Sequence, residues 1–94
     1  MNILNKAKVD ALYQRETVLL GTRDAVPAYR VAALFGQDAA DFARRVGEPG
    51  QNANGYGVGD YTLWYFTYCG FLTAASFCNV RQLRELASRY EVAT

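Results

Sequence analysis

Between Gly55 and Val80 the chain strings together Tyr, Trp, Phe, Leu and Cys and contains no lysine, arginine or glutamate. Aromatic side chains each carry about 150–250 Å² of mostly apolar surface, so a run like this must be hidden from water. Three environments can hide it: the core of a small domain, a face that a partner covers, or a membrane.

Length narrows the choice. Ninety-four residues suffice for one domain, expected to span 1–94, and are too few for two with separate cores. A hydrophobic fraction of 51 % against 20 % charged residues is the balance of a folded chain. Seven Tyr, five Phe and one Trp exceed what so small a core needs. Tyrosine joins an apolar ring to a wet hydroxyl, so its surplus points to half-buried surfaces and interfaces.

Ten basic and nine acidic residues leave a net charge of +1, too little for a field that attracts nucleic acid over the whole molecule. Cys69 and Cys78 both lie in apolar sequence, the pattern of buried thiols in a reducing compartment. The stretch MNILNKAKVDALYQRE has no apolar signal-peptide core. The expected location is cytoplasmic.

The fold expected from periodicity and breakers is mainly α: a compact bundle of about four helices with a long Gly-rich central loop and room for a short β-hairpin at 52–68. Ile3–Leu20 reads as helix stopped by Gly21, and Ala28–Phe35 as a second helix behind Pro27. Tyr29, Ala32, Ala33 and Phe35 are its candidate core residues. After Gly36, Asp38 is placed to cap Ala39–Val46, with Phe42 and Val46 on one inner face. Glu48–Asp60 reads as a surface loop in which Asn54-Gly55 suits a type I′ turn, putting Tyr56 and Val58 in the second arm of a hairpin.

Tyr61–Tyr68 carries strand-forming residues, yet Leu63, Phe66, Gly70, Ala74 and Phe77 fall at helical spacing behind Asp60, and the length of the run favours helix. Asn79 and Gln82 form the two ends of a capping box. The helix it opens is expected to reach about Tyr90, with Leu83, Leu86 and Tyr90 inside and the pairs Arg81–Glu85 and Glu85–Arg89 outside.

The sequence carries four functional signals. From Val31 to Val46, Ala32 precedes Gly36 by four and Phe42 follows it by six. This spacing resembles the Ala/Gly/hydrophobic frame of helix-turn-helix domains. The resemblance implies DNA recognition from residues 28–46, with Gln37, Arg44 and Arg45 as contacts and the Asn-Gly segment as a wing. The local chemistry opposes it, since Asp38 and Asp41 would meet phosphate and acceptor-rich base edges.

Glycines 55, 57 and 59 could cradle an anion, but Asp60 and Tyr61 stand where a phosphate loop needs Lys and Ser or Thr. Tyr61–Val80 is long enough to span a bilayer, but Thr62, Thr67, Thr73, Ser76 and Asn79 make it too polar. The chain has no histidine, and its two cysteines lack the companions a zinc site requires. No catalytic residue, cofactor or metal is therefore expected, and no membrane.

The remaining expectation is a small non-enzymatic protein-binding module of the regulator or inhibitor kind, occluding a partner protein and able to form a homo-oligomer. Tyr56, Tyr61, Trp64 and Tyr65 are its candidate partner-binding residues, because Tyr and Trp bury large rigid area at low entropic cost. Tyr56 and Tyr61 are expected at the surface, and Trp64, Phe66, Phe71 and Phe77 in the core.

Overall fold

A computed structural model describes residues 5–22, 24–79, 81–82 and 84–85. The elements run α1 (Lys6–Leu20), β1 (Val26–Pro27), α2 (Ala28–Phe35), α3 (Gln37–Arg45), β2 (Ala53–Val58), β3 (Tyr61–Phe66) and α4 (Tyr68–Ser76). The three strands form one antiparallel sheet in the order β1-β3-β2. The fold is thus largely helical, with a small sheet packed against the helices.

Local chemistry sets the boundaries. Asn5 opens α1 by accepting a hydrogen bond from the Lys8 amide, and Gly21 closes it in the left-handed conformation at φ 68°. Gly36, at φ 101°, turns the chain sharply between α2 and α3. That conformation is costly for any residue with a Cβ. α3 begins at Gln37 behind Gly36, so Asp38 is a first-turn residue and not the cap.

The core gathers Val9 and Leu12 of α1, Val31, Leu34 and Phe35 of α2, and Phe66 and Phe71 from the aromatic half. Phe71 makes edge-to-face contacts with both Tyr13 and Phe35. α3 contributes Ala39, Ala40 and Ala43, not the expected Phe42, which is 46 % exposed and packs on Phe77. Small residues let α3 approach its neighbours closely, which pushes its one large ring outward. Tyr29 and Phe77 are likewise exposed, contrary to expectation.

The aromatic run departs furthest from the expected fold. Tyr61–Phe66 is strand, and helix begins only at Tyr68, after Thr67 caps it by accepting from the Gly70 amide. The supposed loop around the glycines is largely strand β2, and the hairpin turns at Gly59-Asp60. Asn54-Gly55 lies inside β2, so Tyr56 and Val58 belong to the first arm. Gly59, at φ 61°, and Asp60 make the tight two-residue connection that twisted strands favour.

Asn52 ties these layers together. Its side-chain amide donates to the carbonyls of Ala43 (2.8 Å) and Val46 (3.1 Å), capping α3, while its own carbonyl accepts from the Thr67 amide at 2.9 Å. A second tie is the ion pair of the buried Glu16 with the part-exposed Arg30, which joins α1 to α2 at 2.6 Å. Beyond α4, the Gln82 amide donates to Asn79 Oδ1 as expected of a cap, but the Gln82 side chain donates to the Leu34 carbonyl instead of reaching back. Arg81 and Glu85 pair at 3.7 Å. Leu83, Leu86, Tyr90 and the Glu85–Arg89 pair lie outside the described residues.

Candidate functional site

In an antiparallel ladder, directly opposed residues point to the same side. The register pairs Asn54 with Tyr65, Tyr56 with Leu63 and Val58 with Tyr61. These six side chains share the outer face of the hairpin. Ala53 with Phe66, Gly55 with Trp64 and Gly57 with Thr62 share the inner one. The strands therefore sort the four candidate residues: Tyr56, Tyr61 and Tyr65 face outward together, and Trp64 does not join them.

The outer face carries no charged residue. Its exposed members are Tyr61 at 77 %, Tyr56 at 56 %, Val58 at 53 % and Leu63 at 47 %. Tyr56 and Tyr65 hold each other edge to face at 5.6 Å between ring centres. A shallow groove lined by Thr22, Ala25, Tyr56, Val58, Leu63 and Tyr65 follows one side of this face. On the other side a hollow joins Leu63 and Tyr65 to Pro27, Ala28 and the exposed Tyr29, and also takes in Thr62 and Trp64 from the inner face. Leu63, Val58 and Tyr29 were missed from sequence; the signal for the first two was their even spacing from Tyr61 and Tyr56 along the strands.

Trp64 is half-buried on the inner face, where the Arg44 guanidinium lies 4.7 Å from the ring centre. The three residues proposed for nucleic acid are thus split. Arg44 is engaged with the indole, whereas Gln37 donates to Asp41 Oδ1 at 2.8 Å and Arg45 donates to the Asp41 carbonyl at 3.2 Å. Asp41 lies between the two residues that would contact DNA. No lysine or arginine occurs between Arg45 and Arg81, so the hairpin offers no cation to a phosphate backbone.

Other ionisable groups gather away from this face. Tyr68 donates to the Asp10 carboxylate, which also receives Lys6 at 2.9 Å, clasping α1 to α4. The Tyr68 hydroxyl, and after it Lys6, hold the Asp10 carboxyl below the ordinary aspartate range. Burial pushes the Cys78 thiol up to about 11. Among the described residues no group of three His, Cys, Asp or Glu could hold a metal ion, and no helix is long and apolar enough to cross a membrane.

No protein-family model matches the chain, and no curated protein or solved structure matches it significantly.

Proposed function

We propose that this chain is a small non-enzymatic protein-binding module, of the regulator or inhibitor kind, which occludes a partner protein with the outer face of the β2–β3 hairpin. The observation that carries this reading is the uncharged face of Tyr56, Val58, Tyr61, Leu63 and Tyr65, continued by Pro27 and Tyr29. Taking about 200 Å² for a whole tyrosine side chain, its exposed parts offer about 500 Å² of apolar surface. A standard interface buries about 800 Å² on each partner, somewhat over half of it apolar, so the supply meets the need. Rigid tyrosines lose little entropy on docking, and the scarcity of charge favours a partner surface that is itself apolar at its centre.

A second reading has one observation in its favour. The succession α1-β1-α2-α3-β2-β3, with sheet order β1-β3-β2, is the connectivity of winged-helix domains, in which α3 would enter the major groove and the hairpin would be the wing. Fold alone does not decide function. Asp38 and Asp41 on α3, the packing of Phe42 on Phe77, and a hairpin without cations speak for protein over DNA.

The test is a pair of binding measurements on wild type, Tyr56→Ala and Arg44→Ala/Arg45→Ala. Affinity capture from the native host should give one stoichiometric protein that Tyr56→Ala loses and the arginine variant retains. Micromolar, salt-dependent binding to duplex DNA that only the arginine variant loses would replace the first reading with the second.

A further inference from the structure

β1 covers only part of β3. Its two residues pair Val26 with Phe66 and Pro27 with Tyr65, and the next residue, Ala28, already opens α2. The stretch Tyr61–Leu63 of β3 therefore has β2 on one side and, among the described residues, no strand on the other. It is open to solvent: Tyr61 is 77 % exposed, Leu63 is 47 % exposed, and Thr62 between them is exposed as well.

The ladder decides which backbone groups point to that open side. The Thr67 amide donates to the Asn52 carbonyl at 2.9 Å, and these two residues continue the register of Phe66 with Ala53. Bonded and non-bonded pairs alternate along an antiparallel ladder. Tyr61, Leu63 and Tyr65 therefore spend their backbone groups on β2, whereas Thr62, Trp64 and Phe66 turn theirs towards the side of β1. Pro27 fits the pattern, since its missing amide falls across from Tyr65, at a non-bonded pair. Val26 meets Phe66, and Ala28 stands across from Trp64. Thr62 lies beyond both.

Beside this edge is the hollow of about 420 Å³ between Thr62, Leu63 and Trp64 on one wall and Pro27, Ala28 and Tyr29 on the other. Its size falls in the range of about 300–1,000 Å³ typical of ligand clefts. None of the described residues lining it is charged. An occupant without hydrogen-bonding groups would take the Thr62 amide and carbonyl out of water and leave both unpaired, which is costly. An extended chain supplies a carbonyl and an amide together. Tyr61–Leu63 carries none of the charges or prolines that keep other strands off an exposed edge.

We infer that the protein partner proposed above, an inference that rests on that reading, presents an extended uncharged segment that adds to the free edge of β3, antiparallel and in line with β1. Antiparallel pairing lets a single partner residue exchange both hydrogen bonds with Thr62 and needs nothing across from Trp64, where Ala28 stands. The residues flanking it fall across from Leu63 and Tyr61 and share their side of the sheet, so apolar side chains there extend the outer face. The central side chain turns to the inner side, with Thr62 and Trp64.

Titration of the full chain with the capped peptide acetyl-GVTVG-amide, up to about 10 mM, tests this. Emission from Trp64, the chain's one tryptophan and part of the hollow, reads affinity, and amide shifts in isotope-labelled protein read position. Saturable binding is expected, with the Thr62 amide moving downfield and the Gly57 amide, on the far strand of the sheet, unmoved. The same peptide N-methylated at its central residue keeps its side chains but loses one donor, and should bind about tenfold more weakly. Tyr29→Ser removes an exposed wall and should weaken binding with an unchanged circular dichroism spectrum, whereas Tyr56→Ala, outside the hollow, should bind as wild type does. Absence of saturable binding, equal affinity of the methylated peptide, or shifts at Gly57 in place of Thr62 would overturn the inference. Peptide binding by a chain that captures no protein from the native host retains the strand-accepting edge and removes the proposed function. Capture that Tyr56→Ala loses, by a chain that binds no peptide, does the reverse.

Discussion

Gly70→Ala sets two effects of opposite sign against each other. Gly70 lies in the first turn of α4, where alanine is favoured over glycine by about 1 kcal/mol on helix propensity alone. A Cβ on Gly70, however, would lie 2.0 Å from the Asn52 carbonyl oxygen and 2.7 Å from its carbon, where 3.4 Å is the lower end of ordinary contact. Both atoms are backbone, so no side chain can swing aside, and the helix and Asn52 must separate by more than an ångström. Overpacking of this kind costs about 1–3 kcal/mol.

The separation also pulls on what Asn52 holds: the Thr67 amide at 2.9 Å and the α3 carbonyls at 2.8 and 3.1 Å. Losing two of these hydrogen bonds adds about 1 kcal/mol each. After the propensity gain, the net loss is about 2–4 kcal/mol, which for a domain of this size lowers the melting temperature by at least about 8 °C. Urea and thermal unfolding followed by circular dichroism measure both numbers. An unchanged or raised melting temperature would show instead that propensity outweighs the steric conflict.

Other outcomes follow from the same geometry. Arg30→Met strands Glu16, only 1 % exposed, without its cation and should cost about 3–5 kcal/mol in urea unfolding, whereas Glu16→Leu/Arg30→Met should recover most of it. Asp10 has a lowered carboxyl pKa in the folded chain, so the clasp to Tyr68 and Lys6 contributes fully above the unfolded aspartate pKa and fades as pH falls through the folded value. The difference in melting temperature between wild type and Asp10→Asn should accordingly vanish in acid and persist at pH 7. With Cys78 at about 11, its alkylation in a Cys69→Ser background should still be rising with pH through 11; a half-maximal rate near 9 would contradict its burial.

The helical half of this fold is written locally. Gly21 and the Pro27–Gly36 interval mark the end of α1 and both bounds of α2, because capping and chain reversal need particular residues at particular places. The aromatic half is not. A strand with one wet face normally alternates apolar and polar residues, but Tyr61, Leu63 and Tyr65 outside are as apolar as Trp64 and Phe66 inside, so the period of two is erased. β3 then passes into α4 across the single residue Thr67, which splices two periods into one apolar run and mimics a long helix.

The misplaced turn has a similar origin: Asn54-Gly55 suits a tight turn as well as Gly59-Asp60 does, and pairing with β3 chooses between them. Tyr56, Tyr61 and Tyr65 were legible as candidates by residue type. The separation of Trp64 from them was not, since it depends on strand parity, which a helical reading discards. Phe42 misled for another reason: hydrophobic size suggested an inner position, whereas close helix packing selected Ala39, Ala40 and Ala43.

The outer hairpin face is proposed to meet a protein. Its most direct test is a photo-crosslinking amino acid placed at Tyr61, at the tip of that face, and in a second chain at Asp38, in the first turn of α3, each irradiated in extract of the native host. A single discrete protein adduct is expected from position 61 and none from position 38. Adducts from position 38 alone, to protein or to DNA, would contradict it.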